Sequence, residues 1–435
     1  MKTPSEFEKT SASRELVVLG NSPGPVRPVY DAFPHQAIET DNRATAVDAI
    51  YVHVPFCTTK CHYCDFYSLA GHLAEADRFL DALEIEISFT KSRLGALRPE
   101  TIFIGGGTPT LLDPPRLARL LSLITGAIDS SNLREFTIEA NPNTFDADRA
   151  AALVDHGINR ISFGAQSFIP SELRTLQRDH EPDNVAKAFD IARRAGGAGI
   201  TNLNVDLIFG IPGQTLDSWE YSLTRALELQ PQHMSCYSLT YEPNTAMTAR
   251  MKRGEFAPID ESLELDMFNH VYQRMRNAGF TRYEISNYAR TGENGNECRH
   301  NIHYWKGGNW LAWGPSAAAH LNGWRWKNVG SLAHYLEALL PPSATPLLPL
   351  TQMEHLTPTH WAGEVATFWM RLSDGINYAE FAERTGVDAR PRLEKALKKY
   401  ADMGFVELLP THARLLEKAV PVSNTILRDT LAAFD

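Results

Sequence analysis

The sequence predicts an α/β fold: a partial (β/α)6 barrel followed by a small helical, winged-helix-like domain. Two observations predict the barrel. Six short apolar or β-branched runs, at 49–55, 101–105, 135–140, 160–164, 202–209 and 233–239, alternate with helical patterns at 74–94, 115–128, 147–156, 184–195 and 216–229. Such alternation makes parallel strands joined by right-handed crossovers. Six units are too few to close an eight-fold barrel, so closure is loose and the mouth is wide. The third observation is a change of composition after the Pro-rich stretch ending at Pro349. Beyond it, residues 358–430 read as helices at 379–385 and 391–403 with a short strand pair at 405–409 and 413–416.

The remaining segments follow from composition. Residues 1–45 are rich in Ser, Pro, Thr and acids and read as a loose extension. The barrel then occupies 46–290, with a further helical run at 263–278, and the C-terminal domain 350–435. Between them, 291–349 is unusual: the stretch 292–326 holds five of the eight tryptophans, with many glycines and histidines. The 435 residues, 43% hydrophobic and 22% charged, are those of an ordinary globular chain. A net charge of −10 excludes broad nucleic-acid binding, which needs a basic surface, and the C-terminal module carries little excess basic charge. No apolar run reaches the roughly 18 residues of a membrane span, and no secretory signal pattern opens the chain. The five cysteines do not form a disulfide framework, and a cytoplasmic, reducing location is the expectation.

Three of those cysteines, Cys57, Cys61 and Cys64, share one CxxxCxxC run just after the first strand. Three thiolates at this spacing can grip three irons of a [4Fe–4S] cube and leave the fourth iron open. An open iron on a reduced cluster can bind and cleave S-adenosylmethionine. Zinc usually takes two separated pairs of ligands, and no second pair is present. After the second strand comes Gly105-Gly106-Gly107-Thr108; glycine lets backbone groups approach a ligand closely, and the Gly-Lys-Ser/Thr of a P-loop is missing. Glu139 and Asn141 end the third strand, Gln166 ends the fourth, Asp206 lies in the fifth, and Arg178 sits in a loop. Polar groups at the carboxyl ends of barrel strands point into the mouth. Two acids, an amide and a guanidinium suit ribose hydroxyls, an ammonium and a carboxylate. One or two of them could equally cap loops, Arg178 above all.

The cysteine loop resembles that of the radical-SAM superfamily, and the six units fit its partial barrel. The order HxPFCxxxCxxCDF, GGGTPT, EANP, FGAQSF, LQR, NVDLIFGIPGQT and HNxxYW is similar to the heme chaperone (HemW) family, from about residue 46 onward. That family is related to oxygen-independent coproporphyrinogen III oxidase, whose C-terminal domain the last segment resembles. The resemblance implies a [4Fe–4S] cluster on Cys57, Cys61 and Cys64. It implies S-adenosylmethionine held by Tyr51, Tyr63, Gly106, Gly107, Thr108, Glu139, Gln166, Arg178 and Asp206. It also implies heme on the HNxxYW segment His300, Asn301, Tyr304 and Trp305, with His300 as axial ligand. By residues alone His300 reads as a packed histidine, and His303 and Cys298 are further candidates. The segment ending at His320 departs from the family's glycine-rich form.

The implied function is heme transfer to an acceptor protein, respiratory and membrane-associated, with dimerisation of the chaperone. The competing reading is a decarboxylating oxidase of porphyrin biosynthesis. That branch carries a fourth cysteine two residues after the third, where this chain has Phe66. A heme-degrading or methylating relative is a third reading.

Overall fold

The computed structural model describes residues 47–435 except 198, 293–294 and 342–346. The extension expected at 1–45 lies outside the described residues. Six strands form the barrel: β1 (Ala49–Val54), β2 (Thr101–Gly106), β3 (Glu135–Ala140), β4 (Arg160–Gln166), β5 (Asn202–Phe209) and β6 (His233–Ser238). Each is parallel to the next. The crossovers carry α1 (Ala76–Leu94), α2 (Pro114–Ala127), α3 (Ala147–Asp155), α4 (Pro170–Thr175), α5 (Asp183–Arg194) and α6 (Leu216–Glu228). Local chemistry sets their starts. The Asp113 carboxylate accepts from the Arg116 N–H with proline at the first helical position, and Thr215 and Ser218 form a reciprocal capping box at α6. Two further helices follow, α7 (Ala246–Lys252) and α8 (Glu261–Asn277).

The sheet does not stop at six strands. Antiparallel β7 (Phe280–Arg282) and β8 (Asn287–Arg290) extend it beyond β6. The short helix α9 (Arg299–Trp305) follows. On the other side β9 (Trp310–Trp313) lies parallel to β1, followed by antiparallel β10 (Ala318–Leu321), β11 (Trp324–Asn328) and β12 (Leu350–His355). The order is β12-β11-β10-β9-β1-β2-β3-β4-β5-β6-β8-β7, twelve strands among the described residues. The tryptophan-rich stretch is therefore largely sheet, and Trp313 and Trp326 are buried in its core. Helix α10 (Leu332–Leu339) packs beside α1.

A second apolar core belongs to the C-terminal domain. It comprises α11 (Pro358–Trp369), α12 (Tyr378–Thr385), α13 (Arg390–Asp402) and α14 (Ser423–Ala432) around a small antiparallel sheet of β13 (Ile376–Asn377), β14 (Val406–Leu408) and β15 (His412–Leu415).

His320, near the end of β10, illustrates how a buried polar group is fixed. Its Nδ1–H donates to the Gly308 carbonyl (3.2 Å), and the Gly323 N–H donates to its Nε2 (3.3 Å). Only the neutral ring satisfies both bonds, and burial pushes its pKa from 6.5 down to about 4. The unfolded chain thus binds the proton first as pH falls. Stability from this residue is present above pH 6.5 and is lost as pH falls through 4, by at most about 3 kcal/mol. Urea unfolding of His320→Gln is expected to show a shallower loss of stability than wild type between those two pH values; parallel curves would contradict the assignment.

Candidate functional site

The cysteine loop leaves the carboxyl end of β1 and is closed on itself. Phe56–Cys57 pairs with Leu69–Ala70, and the Leu69 N–H donates to the Pro55 carbonyl at 2.7 Å. The His62 N–H donates to the Leu176 carbonyl (3.2 Å), the Met247 N–H to the His62 carbonyl (2.8 Å), and Arg250 donates to His62 Nδ1 (2.8 Å). Tyr63 packs against the cluster of Leu176, Ile208, Ile211, Leu239 and Met247. Lys60 reaches the Phe66 carbonyl and Ser68 Oγ. The loop is thus pinned by residues of the β4–β5 and β5–β6 crossovers and of the segment after β6, while Cys57, Cys61 and Cys64 stay partly exposed.

Groups suited to thiolates surround the cysteines. The Thr108 hydroxyl points at Cys57 Sγ and Arg178 Nη1 at Cys61 Sγ, each at 3.7 Å. Burial pushes the Cys57 thiol up and the Cys64 thiol up to about 11, so iron must displace protons to bind. Among the described residues no three His, Cys, Asp or Glu side chains converge on one ion. A cubane asks for a different arrangement, one thiolate to each of three irons. The thiols, the hydroxyl and the buried guanidinium fit that group.

The glycine turn lies beside the loop. Gly106 has φ +108°, and a Cβ there would meet the His53 ring at 2.5 Å; one on Gly107 would meet the Phe56 carbonyl oxygen at 2.5 Å. Only glycine allows this approach. The Gly106 N–H donates to Glu139 Oε2 at 3.2 Å. Burial, reinforced by the charge of Asp206, pushes the Glu139 carboxyl up to about 7. Asp206 is raised by burial too, although Ser162 Oγ (2.9 Å) and Asn204 Nδ2 (2.7 Å) donate to it. Gln166, at φ +67°, sits with Arg178 over Gly164, and Arg178 Nη2 donates to the Gly164 carbonyl at 2.5 Å. Asn141 caps its own turn and donates to Asp179 at 2.9 Å, a positioning role.

His53 is a member that sequence reasoning missed. Its Nε2–H donates to the Tyr67 carbonyl (2.8 Å), and the Tyr51 hydroxyl donates to its Nδ1 (2.9 Å). It buttresses the glycine turn from below. Its position two residues after Tyr51, on the same strand face, was the available signal. Tyr51 itself lies inside the barrel, stacked on Phe103.

The HNxxYW segment lies elsewhere. Glu135 accepts from the N–H groups of Arg299 (2.8 Å) and His300 (3.1 Å) at the start of α9. His300 Nδ1 shares a hydrogen bond with Thr101 Oγ1 at 2.9 Å. Thr101 and Glu135 open β2 and β3, so His300 closes the amino-terminal end of the barrel. A six-residue strand separates it from the cysteine loop by roughly 17 Å. His300 is buried between Phe103 and Tyr304, and its Nε2 has no hydrogen-bond partner among the described residues. That leaves one imidazole nitrogen with the chemistry of an iron ligand, inside a closed floor. A polar chain crosses the interior between the two ends: Cys298 N–H to Tyr283 Oη (3.2 Å), Tyr283 Oη to His233 Nε2 (2.8 Å), His233 Nδ1 to Asn204 Oδ1 (2.7 Å), and Asn204 to Asp206.

Comparison with known proteins is consistent with this geometry. The family model of the radical SAM superfamily matches residues 51–226, and that of the HemN C-terminal domain matches 356–422. The chain is 35% identical to the protein named heme chaperone HemW of Bacillus subtilis, covering 82% of this chain and 92% of that one. It is 37% identical to the HemW of Mycobacterium tuberculosis, over 80% and 86%. Among solved structures, the coproporphyrinogen III oxidase HemN of Escherichia coli superposes with a TM-score of 0.75 at 22% identity, covering 92% of each chain. The fold is therefore the radical-SAM fold. No helix among the described residues is long and apolar enough to cross a membrane.

Proposed function

Because the chain belongs to the heme chaperone HemW family, we propose that it binds heme and delivers it to an acceptor protein. On this reading Cys57, Cys61 and Cys64 hold a [4Fe–4S] cluster and the barrel mouth holds S-adenosylmethionine. The supporting observation is the 35% identity over 92% of a curated chaperone's length. Phe66, 68% exposed, stands where the decarboxylating branch carries a fourth cysteine.

When bound, the cluster supplies an open iron that S-adenosylmethionine can ligate. The chain's own residues do the rest. Arg178 sets a fixed positive charge against the thiolate layer. Gly106 and Gly107 keep the backbone bare so that a ligand can lie against it. Glu139 offers the carboxylate oxygen not taken by Gly106 to an ammonium, and a cation there would draw its proton off near neutral pH. Glu139→Gln is expected to weaken S-adenosylmethionine binding about 10- to 100-fold, the worth of one charge-assisted hydrogen bond, while cluster absorbance is unchanged. Calorimetric titration checks this; unaltered affinity would remove Glu139 from the site.

On the same reading His300, its other ring nitrogen fixed by Thr101, would hold the iron of heme through Nε2. Because that atom is buried, heme entry requires α9 to move off the barrel floor. The reading expects no decarboxylation when the reconstituted protein meets coproporphyrinogen III, S-adenosylmethionine and a reductant. Sustained release of carbon dioxide would overturn it in favour of the oxidase.

A further inference from the structure

A cavity of about 350 Å³ opens between the edge of the barrel sheet and the C-terminal domain. Arg276 and Arg282 line one wall, at the end of α8 and in β7; Arg371 and Arg414 line the other. Two carboxylates, Glu284 and Glu417, share the lining. They do not neutralise it. Arg414 is paired with Glu407 at 2.7 Å and Arg371 with the buried Glu284 at 3.8 Å, which leaves Arg276 and Arg282. Burial also pushes the Glu284 carboxyl up. Arg276 and Arg282 have no salt bridge among the described residues; Arg282 lies over the Tyr272 ring at 4.9 Å. Arg282 Nη1 and Arg371 Nε are both buried and without a hydrogen-bond partner among the described residues.

Arg276 and Arg282 thus bring two guanidinium charges to the cavity lining without a carboxylate partner among the described residues. The acceptor that fits a guanidinium fork is an oxyanion, and carboxylate matches it bidentately. The aromatic wall of Tyr272, Phe280 and Tyr288 adds a flat apolar face.

The cleft is also tied to the histidine-bearing helix. Arg371 stacks on Trp305, the last residue of α9, at 4.7 Å. Ser373 bridges the two walls: its N–H donates to the Tyr283 carbonyl and its Oγ to the Arg282 carbonyl, both at 2.9 Å. Tyr283 in turn accepts from the Cys298 N–H at the start of α9.

We propose that this cleft receives the propionate edge of heme, with Arg282 and the rim residue Arg276 on the carboxylates. The volume suits one edge of a porphyrin with its two acidic arms. The proposal rests on the chaperone reading, since it names heme as the occupant.

The test compares hemin with hemin dimethyl ester on the full-length, cluster-reconstituted protein, in wild type, Arg276→Gln and Arg282→Gln. Wild type is expected to bind the ester about tenfold or more weakly than hemin, the worth of one charge-assisted pair. Each variant is expected to lose affinity for hemin and not for the ester, so that the preference collapses. Equal affinity of wild type for both ligands overturns the cleft, as do variants that weaken both ligands alike. Should Arg282→Gln fail to fold, the two ligands on wild type and on the rim variant Arg276→Gln still decide. Failure of both ligands to bind sinks the chaperone reading and the cleft together, an outcome distinct from equal binding, which sinks the cleft alone.

Discussion

Replacing Cys61 by alanine is expected to abolish the broad brown absorbance of the anaerobically reconstituted protein, to below about a tenth of wild type. Three irons of a cube each need their own thiolate, and two remaining cysteines cannot hold the cluster against solvent. Cys61 is also the cysteine that faces Arg178, 3.7 Å from Nη1. Its loss leaves that buried guanidinium without the charge it is set against. The fold is expected to survive, because Cys61 is partly exposed and contributes to none of the apolar cores. Cys236→Ala is the control: that thiol is buried in β6, and its removal costs packing but leaves the cluster. Full iron and sulfide content in Cys61→Ala would refute the ligand assignment.

Replacing Glu86 by alanine is expected to produce the largest loss of stability, about 3–5 kcal/mol, read as a lowered urea midpoint with unchanged slope. Glu86 lies in α1 and is 2% exposed. Its carboxylate accepts from the Gly314 N–H (2.8 Å), Asn328 Nδ2 (2.6 Å) and Tyr335 Oη (2.5 Å). One side chain therefore ties the end of β9, the end of β11 and α10 to the first crossover helix. Alanine leaves the Gly314 N–H and the Tyr335 hydroxyl without an acceptor, and Asn328 Nδ2 with the Gly314 carbonyl alone, and each lost bond carries a desolvation penalty. Tyr335→Phe removes only one of the donors and is expected to cost about 1 kcal/mol. A midpoint unchanged in Glu86→Ala would show that water reaches these donors and that the contact is not a keystone.

The two residues with these large effects were not equally visible in the sequence. Cys61 announces itself, because thiolate spacing is a local property and survives any packing. Glu86 reads as one more acid on an amphipathic helix; its partners lie 228 to 249 residues away and only tertiary structure reveals them. The same contrast holds for the elements. The strands β1 to β6 fall within two residues of the runs read from the sequence, since short β-branched segments between helices leave little choice. Strands β9 to β12 were hidden, because β9, β10 and β11 follow one another through short turns without intervening helices, and β9 and β11 are built around tryptophans rather than β-branched residues. One signal was available: Asn322-Gly323, both at positive φ (+49° and +81°), is the two-residue hairpin turn between β10 and β11. The mouth of the site was legible because strand ends place polar groups together. His300 was legible as a motif, but its place at the opposite end of the barrel depends on Glu135 and Thr101, far away in sequence.

The proposed carriage of heme is tested by an anaerobic heme titration of the cluster-reconstituted protein, followed in the Soret region. Saturable binding at about one heme per chain is expected, weakened in His300→Ala while the cluster absorbance stays. Absence of specific binding in the wild-type protein would contradict it.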